Sequence, residues 1–243
     1  MEGWNHEKLY EKHFFIGFLG TVILSSNLIG AEKDILTEKQ KSIIPIGAFT
    51  AVGDLENLKI SLNEGLNTKL TVNEIKEILV QSYAYAGFPR SLNGINTFIN
   101  VVNEREKNGV KDEIGKEASS IKNNINRNEY GEKVRTSLTG SRSTPAYAKF
   151  VPIIDDFLKE HLFADIFMRD NLDYMSRELT TISILAGLGN VNPQLASHMN
   201  ICLNLGMTEN QLMEFTNVLK EKVSNEIGDN AEKVAKQVIT NRK

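Results

Sequence analysis

The stretch "PQLASHMNICLNLGMTENQL", Pro193 to Leu212, sets a histidine and the chain's one cysteine four residues apart. On a helix, positions i and i+4 share a face, so His198 and Cys202 become neighbours. An imidazole with an unperturbed pKa near ~6.5 accepts and donates protons at neutral pH. A thiolate, by contrast, is a nucleophile. Proton transfer, thiol attack and simple packing are therefore the three readings of this face. Free cysteine is commonly a small buried hydrophobe, and Cys202 is read as packing. A single cysteine excludes an intrachain disulfide, a CxxC redox pair and a thiolate-rich zinc site. The four histidines, His6, His13, His161 and His198, show neither HxxxH nor HExxH spacing, so no metal site is expected.

The elements that position such residues are helical. "NLKISLNEGLNTKLTVNEIKE" (Asn57 to Glu77) lies above "QLASHMNICLNLGMTENQLME" (Gln194 to Glu214) without a gap, at an offset of 137. Leu58, Leu62 and Leu66 form an i, i+4, i+8 stripe, as do Leu195, Met199 and Leu203, the pattern of a core-facing helix. Thr71-Val-Asn-Glu74 and Thr208-Glu-Asn-Gln211 are both capping boxes, and Thr37-Glu-Lys-Gln40 is a third. Strand-like alternation is absent, and the spacing predicts an all-α chain with two tandem repeats, 32–106 and 151–243. Between them, Lys107 to Pro145 is polar with almost no apolar periodicity, and 107–150 reads as a linker or adaptable loop.

The 243 residues suffice for one large domain or two small ones, each with a real core. A formal net charge of -3, with no stripe of basic and aromatic residues, gives no reason to expect nucleic acid. "FFIGFLGTVILSSNLIGA" (Phe14 to Ala31) is short for a membrane span but suits the apolar region of a secretory signal peptide. Residues 1–31 are therefore read as a signal segment, with no stable membrane span, and export to a periplasmic or external location is expected. A buried N-terminal helix in a cytoplasmic protein is the alternative.

At "YAYAGFPRSLNGINTF" (Tyr83 to Phe98) and at Phe163 to Thr208 the chain resembles the carboxymuconolactone decarboxylase family. There a "YAGFP" turn follows the first helical pair, and an "R-E-L" opening, a His and a "G-L/M-T" turn recur in order. The resemblance implies a fold of two alkylhydroperoxidase D-like helical repeats spanning Leu36 to Val218. Alkylhydroperoxidase D-like relatives carry CxxC, three further residues and a His, with a Glu upstream. On that pattern His198 takes the His position, Glu178 the Glu position, and Val191 and Gln194 the cysteine positions. The offset of 137 puts Lys41 and Ser61 opposite Glu178 and His198, so the first repeat lacks the acid-base pair.

Three function classes follow from the resemblance. The first is a lyase, with no metal or organic cofactor, acting on a small carboxylate or lactone through His198 and Glu178. Arg90, Tyr83, Tyr85 and Arg177 are its candidate substrate-binding residues. Arg90 would project from a helix N-terminus, where a guanidinium can hold a carboxylate in bidentate fashion. For Gly87 and Pro89 a purely structural role also serves: ending one helix and starting the next. Arg177 could equally pair with Glu178 across a helix surface. The second class is an antioxidant with peroxiredoxin-type activity, which the missing CxxC opposes. The third is a non-catalytic binding protein built as a helical oligomer. Family modules form rings of three or six, so a homo-oligomer is expected, with a trimer favoured.

Overall fold

The structure, a computed structural model, describes residues 34–120 and 124–242. The proposed signal segment, 1–31, lies outside them. Leu36–Lys243 forms one compact unit, and every regular element among the described residues is helical. The fold is all-α. Among the described residues no helix is long and apolar enough to cross a membrane.

Two helices form the middle of the unit. α1 (Glu38–Val52) starts at the Thr37 capping box, and α7 (Tyr174–Leu188) starts at Asp173, whose side chain accepts from Ser176 N. Both are buried along most of their length, as expected of helices whose apolar residues run all round. They pack more extensively on each other than on any other element. Glycine permits the approach. A Cβ at Gly187 would fall 2.7 Å from Ala48 O, and one at Gly47 would fall 2.9 Å from Ser183 Cβ.

α2 (Leu55–Asn67) and α3 (Val72–Lys107) pack on α1, while α8 (Asn192–Asn204) packs on α7. α9 (Glu209–Lys222) and α10 (Asn225–Asn241) complete the core. The expected stripes are buried: Leu58, Leu62, Leu66, Leu195 and Met199 all belong to the main core, with Leu203 packed against it. α1 and α7 are each 15 residues long, α2 and α8 each 13, and α3 and α9 both open on the expected capping boxes.

α3 is two helices joined at a kink. Gly87 has φ 80 and ψ 162, a region essentially reserved for glycine. Pro89 begins the second arm. The arms fold back on one another, so that Ser91 Oγ donates to Leu79 O at 2.7 Å. The structural reading of "AGFP" therefore holds.

The segment 107–150 departs from the expected linker. Its first part lies across the start of α3, where Val72 N and Asn73 N donate to Glu113 O and Ile114 O, both at 2.9 Å. These bonds satisfy first-turn N–H groups that a helix leaves unpaired. Further on, α4 (Arg127–Thr139) is a capped helix, followed by α5 (Ala146–Phe150). α6 (Pro152–Phe157) then widens into a π-helical stretch, Leu158–Ile166. α4 crosses this stretch so closely that a Cβ on Gly131 would fall 1.8 Å from Lys159 O. The stripe of α4 consists of little more than Val134 and Leu138, too short to register as periodicity. Those two residues join Leu162, Phe163, Ile166, Phe167 and Ile201 in a second core cluster.

Candidate active site

α7 and α8 bring the acid and the base together. Glu178 lies one turn into α7 and is fully buried; His198 lies midway along α8 with 14% of its side chain exposed. Nδ1 of His198 is 2.6 Å from Oε2 of Glu178. A carboxylate on Nδ1 holds the proton there and leaves Nε2 as the basic nitrogen. Glu178 Oε1 is buried and has no hydrogen-bond partner. Leaving such an oxygen unpaired is energetically costly.

Tyr85, from the first arm of α3, meets the His198 ring edge-on at 5.8 Å. Burial, and then the Glu178 carboxylate, push its phenol well above the ordinary value of 10, so it stays protonated. Thr181 donates to its oxygen at 3.2 Å.

Behind the couple runs a polar seam that sequence reasoning missed. Glu77, Gln81 and Tyr85 stand at i, i+4 and i+8 on α3, facing Arg177 and Thr181 on α7. Gln81 Nε2 donates to Arg177 O at 2.8 Å and to Thr181 Oγ1 at 2.9 Å, and Arg177 Nη1 donates to Gln81 Oε1 at 3.1 Å. Arg177 Nη2 donates to Glu77 Oε2 at 3.1 Å, and Arg169 forks onto the same carboxylate. Burial alone would raise the Glu77 pKa, but Arg169 and Arg177 together hold it below the ordinary value. The seam fixes the register of α3 against α7, and with it the seat of Tyr85. Its signal was a polar residue every fourth position, Asn73, Glu77, Gln81, Tyr85.

The other sequence candidates fall elsewhere. Arg177 does not pair with Glu178 across a surface; it is fully buried, its Nη atoms donate to Glu77, Gln81 and the Arg169 carbonyl, and its buried Nε has no partner. It has no donor facing solvent for a substrate. Arg90 is exposed and its guanidinium lies on Gly53, the C-cap of α1, where a cation meets the negative end of the helix dipole. Tyr83 stacks on Phe88 at 4.5 Å and tilts against His161, apart from the His198 contact. Of the residues named from sequence, Glu178, His198 and Tyr85 come together.

Cys202 is buried in the core. Burial first, and the Glu178 charge second, raise its thiol well above the ordinary value, the opposite of an activated thiolate. At the relatives' cysteine positions Val191 precedes α8 and Gln194 is exposed in its first turn. Among the described residues, no three His, Cys, Asp or Glu side chains cluster to hold a metal ion.

The match between the halves needs one correction. The offset of 137 holds for α2 against α8, but the caps of α1 and α7, Thr37 with Asp173 and Gly53 with Gly189, lie 136 apart. The turn Gly189–Asn190–Val191 is one residue longer than Gly53–Asp54, with Gly189 and Asn190 at positive φ. Ser42, not Lys41, therefore stands at the place of Glu178, and Ser61 remains at that of His198. Lys41 stands at the place of Arg177. It pairs with Glu214 at 2.9 Å, as Arg177 pairs with Glu77.

The fold and this geometry define a helical protein with a buried carboxylate–imidazole couple. The chain is similar to the 4-carboxymuconolactone decarboxylase of Acinetobacter baylyi, 29% identical over 96 residues, which are 38% of this chain and 71% of the relative. No family model matches the chain.

Proposed function

We propose that the chain is a tandem duplication whose second half carries a cofactor-free lyase site, acting on a small carboxylated lactone or related acid. The duplication is supported by the recurring helix lengths and caps, and by the crossed pairs Arg177–Glu77 and Lys41–Glu214. The lyase reading rests on one observation above all, the 2.6 Å contact between Glu178 and His198. The similarity to a 4-carboxymuconolactone decarboxylase supports the substrate class.

In the proposed reaction the bond from a ring carbon to its carboxylate breaks and carbon dioxide leaves. The electron pair passes into the conjugated ring carbonyl as a dienolate. The imidazolium of His198 returns a proton to carbon from Nε2 and regains one from solvent. Glu178 stabilises the imidazolium and holds the ring. Tyr85, kept protonated and edge-on to the His198 ring, is the group whose O–H would donate to the developing oxyanion. The arginine clamp expected from sequence is not part of this proposal, because Arg177 is fully buried and Arg90 lies on Gly53.

A panel of carboxylated lactones, with 4-carboxymuconolactone first, tests the reading through melting temperature and carbon dioxide release. A substrate should raise the melting temperature by binding the folded state and should release carbon dioxide. A compound that stabilises the protein with no release would make this a binding protein. Peroxide consumption with a thiol donor would favour the antioxidant reading, which Val191, Gln194 and the protonated Cys202 oppose.

A further inference from the structure

The lyase reading asks a carboxylated lactone to meet His198 Nε2 and the Tyr85 hydroxyl together. Only 14% of the His198 side chain is exposed, and Glu178 is fully buried. The chain from α4 to the π-helical stretch packs around these residues. Val134 and Leu138 of α4, with Leu162, Phe163 and Ile166 of the π-helical stretch, form the second core cluster. That cluster closes on Ile201, one turn beyond His198, and Tyr85 packs against it. So does Tyr174, one turn before Glu178. Each of the three elements that carry the site is therefore touched by the same cover.

The cover is built as a body of its own. Among the described residues its ion pairs are internal: Arg135 and Lys159 both meet Asp155, and Arg127 meets Asp165 at 2.7 Å. Outside that body α4 packs chiefly on α8, where Asn204 Nδ2 donates to Leu138 O at 3.0 Å. The two ends of the body are clamped at one place. Asp170, just past it, accepts from Ser119 N at 2.7 Å and from Lys116 Nζ at 2.6 Å, both on the approach to α4. The adjacent Arg169 forks onto Glu77. A body with its own core, held at one hinge and resting on a small apolar seat, is constructed to open before the whole fold does.

We propose that α4 and the π-helical stretch swing as a lid about the Asp170 clamp, lifting off Ile201 and Tyr85 to admit a ligand to His198. The purpose of the lid rests on the lyase reading; its movement is tested without substrate.

Asn204→Cys and Ser141→Cys set two exposed thiols across the seat, since Ser141 follows Gly140, whose Cβ would lie 3.8 Å from Asn204 Nδ2. A short bismaleimide joins them in the full chain, where Cys202 is buried. The readout is diethyl pyrocarbonate modification of His198, mapped by mass spectrometry, with His161, whose side chain is 51% exposed, as reference. Before cross-linking His198 should be modified. Cross-linking should slow that reaction by about tenfold or more, because it removes a minor open population, while His161 keeps its rate. A His198 that reacts equally fast after cross-linking, or not at all before it, would overturn the lid. Failure of every lactone in the panel would remove the lyase reading instead, and would leave the labelling result standing.

Discussion

Replacing Arg177 by methionine should cost the fold about 3 kcal/mol, and the reason lies in what is left behind. Its guanidinium is fully buried and donates to Glu77, Gln81 and the Arg169 carbonyl. Removing one partner of a buried ion pair costs about 3–5 kcal/mol, because the other charge stays desolvated. Here Glu77 keeps Arg169, whose side chain is 37% exposed, so Arg177→Met belongs at the lower end. Glu77→Leu belongs at the upper end, since it strands Arg177 without a counter-charge. For a domain of this size each kcal/mol moves the melting temperature by about 2–4 °C, giving a drop of roughly 6–12 °C for Arg177→Met. The double variant should recover at least ~2 kcal/mol relative to the sum of the singles. Acid supplies an independent check. Because the folded Glu77 pKa is depressed, its contribution is fully present above the ordinary 4.5 and is lost as pH falls through the folded value. Urea unfolding followed by circular dichroism at pH 7 and below pH 4.5 reads both effects. Additive single variants, or a loss under ~1 kcal/mol for Arg177→Met, would refute the buried-pair account.

Cys202 should resist a thiol reagent at pH 8 in the native protein and react at once in urea; rapid native labelling would contradict its burial and raised pKa. Export remains our proposal for the segment Phe14–Ala31, and intact mass of protein from its native host should show a chain beginning near Glu32 rather than Met1. A homo-oligomer is proposed on the exposed apolar side chains Phe150, Ile153 and Phe157, which stand 89%, 55% and 59% exposed, with the number three taken from the family resemblance alone. Light scattering should find three copies at micromolar concentration and Phe150→Asp should dissociate them; a monomeric wild type would end the idea.

The helices were legible because their punctuation is chemical. Three capping boxes and the Leu58 and Leu195 stripes mark ends and buried faces that the structure reproduces. Glu178 and His198 were paired through the family resemblance, and their contact was not visible in the sequence, since it depends on how α7 lies against α8. Three features escaped for separate reasons. Of the apolar side chains of α4 only Val134 and Leu138 are fully buried, so its apolar pattern is shorter than the window that reveals a helix. The Glu77–Gln81 seam is polar, and core faces are sought among apolar residues. The extra residue in the turn Gly189–Asn190–Val191 shifts the register of α7, an insertion that the gapless match on the far side of that turn does not cross.

The central claim is that any catalysis belongs to imidazole in the second half of the chain, and not to thiol. Turnover of the best substrate from the lactone panel, compared between His198→Ala and Cys202→Ser, tests it most directly. General acid-base catalysis contributes about 10²–10⁴-fold, so His198→Ala should lose activity on that scale. Cys202→Ser should stay close to wild type, with some loss of stability from a hydroxyl in an apolar site. An active His198→Ala beside an inactive, folded Cys202→Ser would contradict the account and make Cys202 the nucleophile.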